Sequence, residues 1–323
     1  MMARVRVHAP ATLSNLGPGF DVLGLAIEQP GDYVEAEWSD TPGVEIVEVR
    51  GDSGRLTTDP TRNVVGIAAT AALLAFDARK TDRRPPGVRL WLDKRMPLAS
   101  GLGSSAASSV GGVLAVSELL GGVFDRDELI ACALEGERVV SGGVHADNVA
   151  PCVAGGIVLI RSYTPMELLS LPVPDALRVA VVHPHVSVVT AEARRLVTEH
   201  RFAIAQVVAN LGQLGALVTA LHRGDLELFG RAISDDLVEP IRASLVPGFA
   251  EVKQTALEAG ALGCSLSGSG PSVFAFASSD DQAAGLAVCM AARFREVAGL
   301  QSDTYVGRVN TRGARRVEAD EDE

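Results

Sequence analysis

PLASGLGSSAASSV, residues 97–110, sets glycines and a run of small residues where an apolar strand gives way to a helix. So much bare backbone has two explanations. Either the helix crosses a sheet too closely for larger side chains, or an anion sits on its first turn, where unpaired N–H groups and a partial positive charge favour phosphate. Ser104 and Ser105 would cap a helix running to Leu120, or would offer hydroxyls to a phosphate or a divalent cation. The segment is not a P-loop, because GxxxxGK[ST] needs a lysine that it lacks, and the GxGxxG dinucleotide spacing also fails. Taken alone, it leaves both explanations open.

Two more glycine-rich loops stand far from it in sequence: NLGPGFD (15–21) and GCSLSGSGPS (263–272). One such loop is usually a turn. Three converging on a single cleft would suit a nucleoside triphosphate and its acceptor. Outside the loops, ARVRVHA, YVEAEW (33–38) and VRLWLDK (88–94) alternate as strands, and GGIVLI, LRVAVVHP, SVFAFA and TYVGRVN read as further strands. Helices are predicted from Val64 to about Ala78 behind Asn63, from Asp125 with a capping-box Glu128, near Thr190, Phe202, Asp225 and Phe249, and after Ser279. Strands and helices mix without strict βαβ repetition, which predicts two α+β domains. The proline-bearing stretch RSYTPMELLSLPVPDAL (161–177) reads as the linker. The boundaries expected are 1–165, 170–316 and an acidic tail, 317–323.

The chain of 323 residues is 47% hydrophobic and carries a formal net charge of −11, which argues against a nucleic-acid surface. Cys132, Cys152, Cys264 and Cys289 are widely spaced without a CxxC pair, which fits free thiols in a reducing compartment. No apolar run suggests a signal sequence or a membrane span, so a soluble cytoplasmic protein is expected. Lysine is scarce: only Lys80, Lys94 and Lys253.

Phosphoryl transfer needs charge neutralisation at the phosphates, and Glu135 and Glu137 are the nearby helical carboxylates. HADNVAPCVAGG (145–156) sets His145, Asp147 and Asn148 in an apolar stretch, as a polar knot or as a capped turn. Arg194 in TAEARR and Arg242 in EPIRASLVPGF could grip a carboxylate bidentately, or be solvated. His183 and His185 read as structural.

These segments together resemble the GHMP-type small-molecule kinases. PLASGLGSSAA resembles their phosphate loop, and GCSLSGSGPSVFAF their third motif. APATLSNLGPGFDVLGLA, HADNVAPCVAGG, TAEAR and EPIRASLVPGF are similar to signatures of the homoserine kinase family, in order and across the whole length. The resemblance implies an N-terminal domain like ribosomal protein S5 domain 2 and a ferredoxin-like C-terminal domain. It implies transfer of the ATP γ-phosphoryl group to the hydroxyl of L-homoserine, with Mg²⁺, in threonine biosynthesis, by a homodimer.

Residue by residue, the resemblance implies that Pro97, Leu98, Ala99, Ser100, Gly101, Leu102, Gly103, Ser104, Ser105, Ala106 and Ala107 wrap the phosphates. It places Ser104 or Ser105 near the metal and makes Glu137 the metal carboxylate. Asn63 would contact adenine. Asn15, Asp21, Asn148, Thr190 and Gly268 would line the acceptor pocket, with Asp21 facing the ammonium and Arg194 and Arg242 holding the carboxylate. Ala99 stands where the family commonly has glycine, so a reshaped loop entry is expected. Other acceptors of the superfamily, mevalonate or a sugar, would leave both arginines without purpose. A non-catalytic ATP- or amino-acid-binding regulator would leave Glu137, Asp21 and both serines without purpose.

Overall fold

The computed structural model describes residues 4–79, 87–141 and 145–318. Alternating apolar positions build the first sheet. Its strands run Arg315–Arg316, Val5–Ser14, Leu23–Ser39, Gly87–Asp93 and Val44–Arg50, side by side, and the hairpin Ile157–Tyr163/Met166–Leu171 joins the start of Leu23–Ser39. Every pairing is antiparallel except Val44–Arg50 with Gly87–Asp93, which are parallel and joined through the helix Val64–Asp77. Asn63 caps that helix, its Oδ1 accepting from the Val65 N–H. Asp125 and Glu128 form the reciprocal capping box at the head of Arg126–Ser141.

The helix Ser104–Leu119 is buried along almost its whole length. Its small residues let it approach the sheet: a Cβ at Gly111 would stand 2.6 Å from Val34 Cγ2, and one at Gly112 2.6 Å from the Val65 carbonyl oxygen. Close packing therefore explains the small residues inside the helix. It does not explain those before it. Neither serine caps the helix; Gly103 is the N-cap, at φ 67°, with no side-chain hydrogen bond. A capping serine would need an extended backbone at its own position, and both serines are already helical.

The second sheet is antiparallel, in the order Ser302–Arg308, Arg178–Pro184, Val273–Ala277, Gly263–Leu266. With the helices Phe249–Glu258 and Asp280–Ala298, this is the βαββαβ order of a ferredoxin-like unit. Thr190–Glu199, Ile204–Arg223, Leu226–Ala232 and Glu239–Arg242 are inserted after its first strand. His183 is buried against the Ser272 hydroxyl, and His185 pairs with Asp303. All four cysteines are free.

Three expectations change. Residues 161–171 are the hairpin of the first sheet, not linker, so the crossover between sheets is confined to 172–177. The boundary at 165–170 thus cuts through a paired strand. The chain also returns, because Arg315–Arg316 pair with Val7 and His8, and the Val317 N–H donates to the Arg6 carbonyl, so the tail does not start at 317. Residues 319–323 lie outside the described residues, as does Lys80. Finally, Ile204–Arg223 is long and apolar enough, by length and composition, to cross a membrane. Its polar residues before the C-terminal end are uncharged, which keeps its hydropathy high. It seats on the first glycine loop, where the buried Asn210 amide donates to the Pro18 carbonyl.

Candidate active site

The three glycine loops meet. The Gly268 N–H donates to the Ser14 carbonyl, Ser267 Oγ to the Gly101 carbonyl, and the Ser272 N–H to the Ser100 carbonyl. They border a cleft of about 630 Å³. Gly101 and Gly103 both have left-handed backbone, and a Cβ there would stand 2.4 Å from the Ser267 carbonyl oxygen and 2.0 Å from Thr12 Oγ1. Only glycine fits. The uncapped helix N-terminus opens directly on the cleft, and the buried Ser104 Oγ has no partner.

Leu98, Ala99, Ser100, Gly101, Gly103, Ser104 and Ser105 line the cleft. Leu102, Ala106 and Ala107 do not: they are fully buried in the core beneath the loop. Pro97 also lies outside the lining. Ala99 holds φ 54°, so the loop keeps the left-handed bend that a glycine would adopt rather than reshaping its entry. That conformation costs a residue bearing a Cβ about 1–2 kcal/mol. Ala99→Gly is therefore expected to raise the thermal midpoint, by an amount reduced by the roughly 0.5–1 kcal/mol of chain entropy that glycine loses. A lower midpoint in calorimetry would contradict the strained loop.

A lysine serves this loop after all. Lys94, at the end of the strand Gly87–Asp93, is buried, pairs with Asp32, and donates to the Ser104 carbonyl at 2.8 Å and to Ser108 Oγ at 3.1 Å. It lies outside the loop, unlike a P-loop lysine, and its signal in the sequence is that one of only three lysines in the chain stands just ahead of the loop.

Glu137 faces the same helix end. Its Oε2 accepts from Ser105 Oγ at 3.0 Å and its Oε1 from Ser109 Oγ at 3.4 Å. Burial pushes its carboxyl up to about 7. Glu135 points away, half-exposed, and pairs with Arg138. Asn63 reaches the cleft wall, but its amide is engaged in the helix cap and in donating to the Thr57 carbonyl. Arg55, Thr57 and Arg62, not singled out from the sequence, line that end.

At the other end the loop 15–21 is held in strained form, with Asn15, Leu16 and Asp21 at φ 74°, 49° and 59°. Asn15 Oδ1 accepts from the Asp21 N–H, and Asn15 Nδ2 donates to the Gly268 carbonyl. The Arg194 guanidinium forks onto Asp21, at 3.0 Å to Oδ2 and 2.8 Å to Oδ1. Arg242 donates to the Gly268 carbonyl at 2.7 Å, and burial lowers its pKa to about 10. Both guanidiniums lie over the Phe20 ring. Asn148 Oδ1 accepts from Thr12 Oγ1, and Thr190 Oγ1 contacts Ser269 Oγ at 3.4 Å.

Buried polar atoms without partners gather here: Arg194 Nε, Arg242 Nε, His145 Nε2 and Asp147 Oδ1, besides Ser104 Oγ. Such atoms are rare in folded proteins, and a group of them in one cleft is what a polar ligand would complete. His145 and Asp147, which the resemblance does not assign to the acceptor pocket, both line the cleft. Chemically, the cleft offers an anion cradle at one end, a doubly cationic pocket with carboxylates at the other, and a buried carboxylate beside the cradle.

Residues 65–156 match the family model for the GHMP kinases N terminal domain, and 217–296 that for GHMP kinases C terminal. Among curated relatives, the homoserine kinase of Chloroherpeton thalassium is 41% identical over 318 residues, covering 97% of this chain and 99% of its own. That of Pyrococcus abyssi is 40% identical over 311 residues, covering 96% and 98%. The crystal structure of homoserine kinase from Cytophaga hutchinsonii superposes with a TM-score of 0.92 at 45% identity, over 98% of each chain. A mevalonate kinase from L. major in complex with R-mevalonate shares the fold, with a TM-score of 0.72 at 18% identity over 96% of this chain and 97% of its own.

Proposed function

The chain belongs to the homoserine kinase family of the GHMP kinases, and from that membership we propose that the cleft between its three glycine loops transfers the γ-phosphoryl group of ATP to the hydroxyl of L-homoserine. The observation that carries the assignment of roles is the junction of an open helix N-terminus, at Ser104, with a pocket holding Asp21, Arg194 and Arg242. The triphosphate lies along Leu98–Ser105, held by backbone N–H groups, with the adenine toward Asn63 and Arg62. The zwitterionic acceptor lies at the far end, its carboxylate on the unpartnered Nε atoms of Arg194 and Arg242. Asn148 and Thr190 border the hydroxyl between them.

The oxygen-rich set of Glu137, Ser105 and the unpartnered Ser104 suits a hard divalent cation. Mg²⁺ held there would neutralise charge on the phosphates. The chain's own residues supply positioning. The bend at Gly101 and Gly103 aims the cradle, and Lys94 fixes the first helical turn from beneath through the Ser104 carbonyl. Phosphoryl transfer draws most of its acceleration from positioning and fixed charge, so the account needs no dedicated base.

The test is ADP release from Mg-ATP with L-homoserine, beside L-serine, L-threonine and mevalonate. Homoserine is expected to support turnover at least tenfold better than each of the others. Mevalonate as the preferred acceptor, or nucleotide binding without turnover, would overturn the reading.

A further inference from the structure

The two histidines of HPH (183–185) part company in the fold. His185 is half-exposed and pairs with Asp303. His183 is buried near the end of Arg178–Pro184 and reaches the glycine loops. The antiparallel register that sets Val182 opposite Val273 puts His183, one residue on, opposite Ser272. Their side chains meet at 3.1 Å, Nδ1 to Oγ. Ser272 is in turn fastened to the first turn of the cleft. Its N–H donates to the Ser100 carbonyl at 3.1 Å, and its carbonyl accepts from the Ser267 N–H at 2.9 Å. We propose that His183 is a positioning residue, which pins Ser272 and through it holds Leu98–Ser105 in the shape that receives the triphosphate. This rests on the nucleotide site assigned above.

Burial lowers the imidazole's pKa to about 4, against the pull of Asp303 on the neighbouring strand and with His185 adding to the fall. The ring is therefore neutral at pH 7 and acts as a hydrogen-bonding group, not as a charge. Whichever nitrogen carries the proton, the Ser272 hydroxyl can complement it, since a hydroxyl both donates and accepts. Ser272 is fully buried, and among the described residues its hydroxyl hydrogen-bonds His183 alone. Without the imidazole that hydroxyl would be buried and unsatisfied, a cost the loop escapes by shifting. Ser100 would shift with it, because its carbonyl is tied to the Ser272 N–H. A misplacement of about 1 Å at a positioned group can cost on the order of a hundredfold in rate.

The loop of Ser272 also borders the acceptor pocket, at Gly268, but that end has fastenings of its own. The Gly268 carbonyl accepts from Asn15 Nδ2 and from Arg242, and the Gly268 N–H donates to the Ser14 carbonyl. Ser267 Oγ donates to the Gly101 carbonyl. Loss of the His183 bond therefore loosens the nucleotide end, at Ser272 and Ser100, and spares the acceptor end.

The experiment reads the affinity for a non-hydrolysable ATP analogue with Mg²⁺ by calorimetry, and the KM values for ATP and homoserine by ADP release. Leucine at position 183 fills the slot without a polar atom. Asparagine sets an amide group near the place of Nδ1, and that amide can donate or accept. His183→Leu is expected to weaken analogue binding and raise the KM for ATP about tenfold each, with the homoserine KM within twofold of the wild type. His183→Asn should bring both nucleotide values back to within threefold. Ser272→Ala should match His183→Leu, and the double variant should bind the analogue no more weakly than either single one, because the same bond is lost in all three. His185→Leu should stay within twofold throughout.

If His183→Leu fails to fold, Ser272→Ala and His183→Asn carry the test. Wild-type affinity for the analogue in Ser272→Ala overturns the proposal. So does His183→Asn binding as weakly as His183→Leu, which would make the imidazole mere packing. Losses that add in the double variant, or equal changes in the two KM values, also overturn it. Absence of analogue binding to the wild type would refute the proposed function and this inference with it. Binding without homoserine turnover would refute the acceptor alone, and the calorimetry would still decide the role of His183.

Discussion

Arg194→Ala is expected to raise the KM for homoserine by roughly 30-fold to several thousand-fold, the equivalent of about 2–5 kcal/mol, while the KM for ATP moves by less than threefold. Two losses add in the same direction. On the proposed function the Arg194 guanidinium, whose buried Nε has no partner, holds the acceptor's carboxylate. The same side chain neutralises Asp21 through two hydrogen bonds, so truncation also leaves Asp21 unmatched beside the pocket. Arg194→Lys should recover only part of the loss, because an ammonium cannot fork across both Asp21 oxygens and still present a third donor. ATP should be spared, because the proposed triphosphate cradle lies at the other end of the cleft. Equal changes in both KM values would remove Arg194 from the acceptor pocket.

The second large effect is on turnover. Glu137→Gln should lower kcat by at least a hundredfold and raise the Mg²⁺ concentration needed for half-maximal rate. The homoserine KM should shift little, since Glu137 stands beside Ser105 and not beside the arginines. Stability should move the other way. Burial raises the Glu137 carboxyl to about 7 from an unfolded value near 4.5, so between those pH values the folded state holds more protons than the unfolded one. Stability contributed at that site therefore falls as pH rises through the window, by a few kcal/mol at most, and the neutral glutamine escapes the loss. At pH 8 and without nucleotide the variant should melt no lower than the wild type while having lost its activity. In the wild type, the Mg²⁺ requirement should increase as pH drops below 7, where protons compete for the carboxylate. A flat Mg²⁺ titration in the variant would move the metal role elsewhere.

Much of this architecture was legible in the chain itself. Strand alternation and helix caps put Asn63, Asp125 and Ser279 at helix starts, as found, because local periodicity and capping are short-range. The hairpin at 157–171 was misread because Pro165, Pro172 and Pro174 suggested a linker, yet Pro165 falls in the hairpin's turn and the other two follow it. The returning Arg315–Arg316 pair is two residues long, too short to leave a pattern. Site residues in loops were legible because glycine and small polar residues mark close backbone approach. The Lys94–Asp32 support, the Arg194–Asp21 fork and the lone Asp147 oxygen were not, since each depends on contacts across 62 or more positions or on a missing one. The question raised by the small residues at 97–110 has a divided answer. Those from Ala106 onward let the helix pack, and those before Ser105 leave its first turn open.

The most direct measurement is a crystal structure of the protein with a non-hydrolysable ATP analogue, Mg²⁺ and L-homoserine. The account predicts the triphosphate on the backbone of Ser100–Ser105, and the homoserine carboxylate on Arg194 and Arg242 with its hydroxyl facing the γ-phosphorus. A triphosphate bound elsewhere, with the first turn at Ser104 left bare, would contradict it.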